Sequence, residues 1–194
     1  LGLGESEIAH RVEEVTADCP FEKGYRVHLP YVEVKLIYPK SRQEEARFWK
    51  DRIEQVLSDC IISRDGSDVA ELLGQQLVLK DAPIWIEDQV TGVALWSRLQ
   101  GSVRELLRRQ QLAFTQFHSE LSSLQNIPST WFLQIERSSQ NSVEARIQRG
   151  ESVRHKLISA PSNSPILLER QNQYFAEMAM IFWHTSLQEF GTFE

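Results

Sequence analysis

Residues Val93–Gln125, VALWSRLQGSVRELLRRQQLAFTQFHSELSSLQ, form the stretch on which the reading of the fold turns. Trp96, Leu99, Val103, Leu106, Ala113, Phe117, Leu121 and Leu124 recur at spacings of three and four, and only Gln110 interrupts them. That period predicts one long amphipathic helix. At 1.5 Å per residue it would run roughly 50 Å, and so long a stripe needs another surface to pack on, in this chain or a second one. Gln110 would sit as the polar residue that fixes register in the seam. Leu112 and Phe114 fall off the main stripe, and with Phe182 and Trp183 they are the candidate apolar docking residues.

Outward from that stretch, the N-terminal part reads as a small α+β region. Glu5–Val15 is a short helix with Ile8, Val12 and Val15 on one side, and Tyr25–Tyr38 alternates as strand. The parity of its apolar residues switches at Pro30, which predicts a break, bulge or edge there. Ser41 and Glu44 form a capping box before a helix whose Ala46, Trp49, Ile53, Val56, Leu57 and Cys60 share a face. Arg64-Asp65-Gly66-Ser67-Asp68 reads as a turn and N-cap before a short helix Val69–Leu73 stopped by Gly74. Gln76–Leu79 and Ile84–Ile86 read as a hairpin around Ala82-Pro83.

Beyond the long stretch, Trp131–Ile135 fits either strand or helix. Val143, Ile147, Val153 and Leu157 suggest a helix weakened at Gly150. Pro165 suits the first turn of a final helix, Ile166–Phe190, apolar nearly all round between Phe175 and Trp183. The expected fold class is α+β: a small N-terminal sheet with one amphipathic helix, then a C-terminal bundle of about three helices including the long one, with coiled-coil character. The expected division is a small α+β region, residues 1–88, and a helical region, residues 89–194, with one continuous domain as the alternative.

Composition bounds the function. The 194 residues carry a formal net charge of −6, with 41% hydrophobic and 25% charged residues, ordinary for a globular protein. The negative balance disfavours a general nucleic-acid binder, which needs a surplus of Lys and Arg. Cys19 and Cys60 are too few for a disulfide framework and lack zinc spacing. Five histidines are scattered without a paired metal motif. Phosphate-binding loop, calcium loop and nucleophile elbow are all missing, so no catalytic residue, metal or cofactor is expected. The longest apolar cluster, Met178–Trp183, is too short to span a bilayer, and no signal peptide is recognisable. An intracellular soluble protein, cytoplasmic or nuclear, is expected. An opening at Leu1 rather than Met fits a processed form or a fragment.

Two basic clusters stand out against this acidic background. Arg98, Arg104, Arg108 and Arg109 face only Glu105, and Arg137, Arg146, Arg149, Arg154 and Lys156 outnumber Glu144 and Glu151. Helices packed side by side would join them into a basic face for an acidic partner or a phosphate. Ala113–Leu121 (AFTQFHSEL), Arg149-Gly150 and Ser164-Pro165 with Glu169 and Gln171 superficially resemble the C-terminal helical region of rotary ATPase α subunits. The chain has no phosphate-binding loop and the pieces stand too far apart, so no nucleotide function follows. The expected function is a non-catalytic subunit or adaptor of a multiprotein complex, docking other protein subunits through helix faces. The alternatives are a nucleic-acid-associated subunit using the arginines and an enzyme with a site assembled from dispersed residues.

Overall fold

The computed structural model describes residues 4–28, 30–80, 82–115, 129–160 and 168–190. The chain divides into two compact units, Leu1–Gly66 and Ser67–Glu194.

In the first unit the order is α1 (Glu5–Val15), β1 (Glu22–His28), β2 (Tyr31–Ile37), a 3-10 turn (Lys40–Arg42) and α2 (Gln43–Val56). The parity switch at Pro30 is a reversal of chain direction: β1 and β2 pair antiparallel with Val27 opposite Val32 and Tyr25 opposite Val34. Partners across an antiparallel ladder share a face, so odd residues of β1 and even residues of β2 line the same side. Val12 of α1, with Ile53 and Leu57 of the α2 segment, packs against Tyr25 and Val34, while Phe21, Ala46 and Trp49 enclose Leu36. The helix face read from sequence is thus the buried one. The Ser41–Glu44 capping box does not form. Residues 40–42 take a 3-10 turn, α2 starts at Gln43 without a side-chain cap, and Arg42 pairs with Glu45 at 2.6 Å.

The second unit runs α3 (Val69–Leu79), β3 (Ile84–Asp88), α4 (Ala94–Leu99), α5 (Arg104–Arg108), β4 (Leu112–Thr115), β5 (Trp131–Ser139), β6 (Ser142–Arg149), β7 (Ser152–Ser159) and α6 (Leu168–Phe190). Five strands make one sheet in the order β4-β3-β5-β6-β7, with β4, β3 and β5 parallel and β5-β6-β7 antiparallel. The helical bundle and coiled coil expected of this half are replaced by this sheet.

The long helix is overturned as far as the described residues reach, to Thr115; residues 116–125 of it lie outside them. Its apolar stripe is real, since Leu99, Val103 and Leu106 are fully buried together with Leu95. Yet the chain turns at 100–103 between α4 and α5, and again after Arg108. Gln110 adopts a left-handed backbone, φ 56°. Its N–H bonds to Leu107 O at 3.1 Å and the Gln111 N–H to Leu106 O at 2.9 Å. Those two bonds define a Schellman terminator, so Gln110 ends a helix where it was expected to sit in a seam. Gly74 likewise does not stop α3. It lies mid-helix because a Cβ there would stand 2.4 Å from that of Ser102, and Gln76–Leu79 belong to the helix, not to a strand. Val143–Leu157 is no helix either. Val143, Ala145 and Ile147 are buried at period two, and Gly150 (φ 57°) turns the chain between β6 and β7. Trp131–Ile135 resolves as strand.

Helix α6 packs on β6 and β7 and on α3 and α4. Trp183 donates its indole N–H to Arg146 O at 2.9 Å, and Phe190 meets Trp131 edge-on at 5.3 Å. His184 ties α6 to α3. Its Nδ1 lies 2.8 Å from Gln76 Oε1 and its Nε2 3.1 Å from the Gln188 amide. Burial holds this imidazole below its ordinary value of 6.5.

Two outcomes follow for stability. A left-handed residue with a side chain is strained, so Gln110→Gly should stabilise the protein by about 1 kcal/mol and Gln110→Val should destabilise it. Urea midpoints of the two variants would check this, and equal midpoints would contradict the terminator. His184 favours its neutral form in the folded state, so its contribution is complete above the ordinary histidine value. It is lost as the pH falls below about 6.5 and the unfolded chain takes up the proton first. Melting curves across that range should show the loss, and His184→Gln should flatten it.

Candidate docking site

The β6–β7 hairpin carries the site. Arg149 and Ser152 face each other across Gly150-Glu151, a two-residue turn with the glycine first in the left-handed region. The residues flanking such a turn exchange both backbone bonds, and bonded and non-bonded pairs then alternate along the ladder. The bonded pairs are therefore Arg149–Ser152, Ile147–Arg154, Ala145–Lys156 and Val143–Ile158. A further bond from Ala160 N to Asn141 O at 2.9 Å keeps the same phase. The backbone N–H and C=O groups of Val153, His155, Leu157 and Ser159 consequently point away from β6. Strand β7 is the last in the sheet, and among the described residues none pairs with that outer edge.

Side chains divide by the same parity. Arg154, Lys156 and Ile158 lie on the face that α6 covers, beside Ile147, Ala145 and Val143. Val153, His155 and Leu157 lie on the opposite face, where Val153 is 43% and Leu157 60% exposed. Two exposed aliphatic side chains next to backbone donors and acceptors that no described residue pairs with are what natural sheets usually avoid at an edge. The edge has no proline and no bulge; its protection is the charge of Arg154 and Lys156.

Those charges are unevenly engaged. Arg154 is ion-paired with Glu189 of α6, and its guanidinium lies 5.1 Å from the Phe190 ring centre. His155 Nδ1 meets Glu144 Oε1 at 2.8 Å. Lys156 makes no ion pair among the described residues. A cavity of about 370 Å³ opens beside the strand, lined by Arg154, His155, Phe182, Thr185, Ser186 and Glu189.

The basic residues singled out from sequence do not share a face. Arg98 is bound to Glu177 of α6 and, at 2.7 Å, to Asp68, the residue capping α3. The hydrogen bond that Arg98 donates to Glu177 does most to hold its guanidinium above the ordinary arginine value, with the one donated to Asp68 adding to it. Arg104 is exposed on α5, where Arg108 and Arg109 each pair with Glu105 at 3.0 Å. Helix α5 packs by β4, four strand spacings or about 19 Å across the sheet from β7. On the hairpin, Arg146 donates to Gln148 Oε1 at 2.7 Å and Arg149 stacks 5.2 Å from the centre of Trp131. Of the apolar candidates, Leu112 and Trp183 are buried, Phe114 rests against Trp96 at 4.8 Å, and Phe182 borders the cavity.

Glu87 and Asp88, at the end of β3, were not singled out from sequence and are both buried. Asp88 accepts from the N–H groups of Val90 and Thr91 at 3.0 and 2.7 Å and from the Thr91 hydroxyl, whose oxygen in turn caps Leu95 N at 3.1 Å. Burial pushes its carboxyl up, against the pull of those donors. Glu87 accepts from Gln89 and Gln134. These acids build the turn from β3 into α4. Among the described residues no group of three His, Cys, Asp or Glu side chains is placed to hold a metal ion, and no helix is long and apolar enough to cross a membrane.

No protein-family model matches the chain. The chain is similar to the CinA-like protein of Desulforapulum autotrophicum, 30% identical over 104 residues, which cover 51% of this chain and 25% of that protein. The match thus spans about a quarter of the relative's length.

Proposed function

We propose that this chain is a non-catalytic docking module, related to part of a CinA-like protein, and that it binds a partner protein at the open edge of β7. The observation that carries the reading is the row of outward backbone groups at Val153, His155 and Leu157 beside exposed aliphatic side chains. Strand addition to such an edge is a common recognition mode, with main-chain hydrogen bonds giving affinity and alternate side chains giving specificity. The role is the one expected from sequence, but it moves from helix faces to a sheet edge. The nucleic-acid reading loses its support, because Arg104 and Arg108 lie on α5 by β4, across the sheet from Arg154 and Lys156 on β7, and Arg98 is consumed between carboxylates. The buried acids of β3 give no support to an enzyme, since the hydrogen-bonding capacity of Asp88 goes into its own turn.

A proline exchange separates edge from fold. The His155 N–H points outward, so His155→Pro removes no ladder bond and blocks an added strand. Lys156→Pro removes an internal bond and should unfold the hairpin. The immobilised chain should retain a partner from a cell extract, and the His155→Pro chain, with unchanged circular dichroism, should lose it. Equal retention by the two would contradict docking at this edge.

A further inference from the structure

Two periodicities meet at the outer edge of β7. On the α6 side the strand presents Arg154 and Lys156; on the other it presents Val153, His155 and Leu157. No carboxylate belongs to the strand itself, Ser152–Ser159. A strand laid along the edge continues the pleat, so alternate side chains of the newcomer stand beside these two rows.

We infer that the occupant of the β7 edge is an extended acidic segment of a partner protein that alternates carboxylate and apolar side chains. This rests on the docking reading above and gives it a partner chemistry. The carboxylates fall beside Lys156, which makes no ion pair among the described residues, and beside the half-exposed Arg154, already ion-paired with Glu189. The apolar side chains fall beside Val153 and Leu157, which are 43% and 60% exposed. The same charges disfavour a second copy of this chain. An antiparallel self-pairing centred on His155 sets Arg154 of each copy opposite Lys156 of the other, and like charges directly opposed are destabilising. An acidic strand turns that repulsion into attraction.

The test uses the full chain and three labelled eight-residue peptides, alternating Val with Glu, Ser or Lys, read by fluorescence anisotropy. The Glu peptide should bind at least about tenfold tighter than the Ser peptide, with the Lys peptide weakest, and the preference should shrink at about 0.5 M salt. Lys156→Glu should erase or invert the preference, and His155→Pro should abolish binding of all three. Equal affinity for the three peptides, all lost in His155→Pro, would overturn the acidic specificity while leaving edge docking standing. Binding that survives His155→Pro would overturn the edge itself. No binding of the Glu peptide to a chain that still retains a partner in a His155→Pro-sensitive manner would overturn the occupant alone. Dimerisation of the parent chain that His155→Pro abolishes would assign the edge to a second copy and sink the inference.

Discussion

The register of the β6–β7 hairpin is the constraint on which the second unit depends. Side chains alternate strictly along a strand, so a slip of one residue would carry Val143, Ala145 and Ile147 to the far face and strip α6 of its platform. Gly150 pins that register, because a two-residue turn with a left-handed first position accepts few other residues. The phase that buries Ile147 and Ala145 is also the phase that turns the amides of Val153, His155 and Leu157 outward. Packing of the core and availability of the edge are therefore one choice made once, at the turn.

Polar groups inside this unit serve placement. Arg98 bridges the cap of α3 and the middle of α6 through Asp68 and Glu177. Asp88 and Thr91 shape the exit from β3, and His184 clips α6 to α3 through Gln76. Together they fix helices against the sheet at points where apolar contact alone leaves sliding free. With α6 held, Glu189 and Phe190 stand over Arg154, while Lys156 makes no ion pair among the described residues.

Much of the first unit was legible in the sequence, and the second unit shows why such legibility has limits. The face of α2 and the switch at Pro30 follow from local periodicity, which decides structure when an element packs within its own neighbourhood. Val143, Ile147, Val153 and Leu157 fit a helical spacing equally well, and only the interleaved Ala145, a small residue, marks the alternation as a strand. The combination Arg149-Gly150-Glu151-Ser152 between apolar runs was the signal that could have settled it. In the long stretch the apolar stripe correctly named Leu99, Val103 and Leu106 as core, but a stripe does not say where a helix ends. Gln110 ends one against the usual preference for glycine, so propensity gave no warning. The edge of β7 was illegible for a different reason: strand order and hydrogen-bond phase are long-range facts, set by β3 and β5 taking places between β4 and β6.

Amide hydrogen exchange resolved by residue along β7 tests the central claim most directly. Arg154, Lys156 and Ile158, whose N–H groups bond to β6, should be protected, while Val153, His155 and Leu157 should exchange orders of magnitude faster. The reverse phase, or uniform protection along the strand of the isolated chain, would contradict the account: the first would mean that the register is shifted, the second that the edge is already covered.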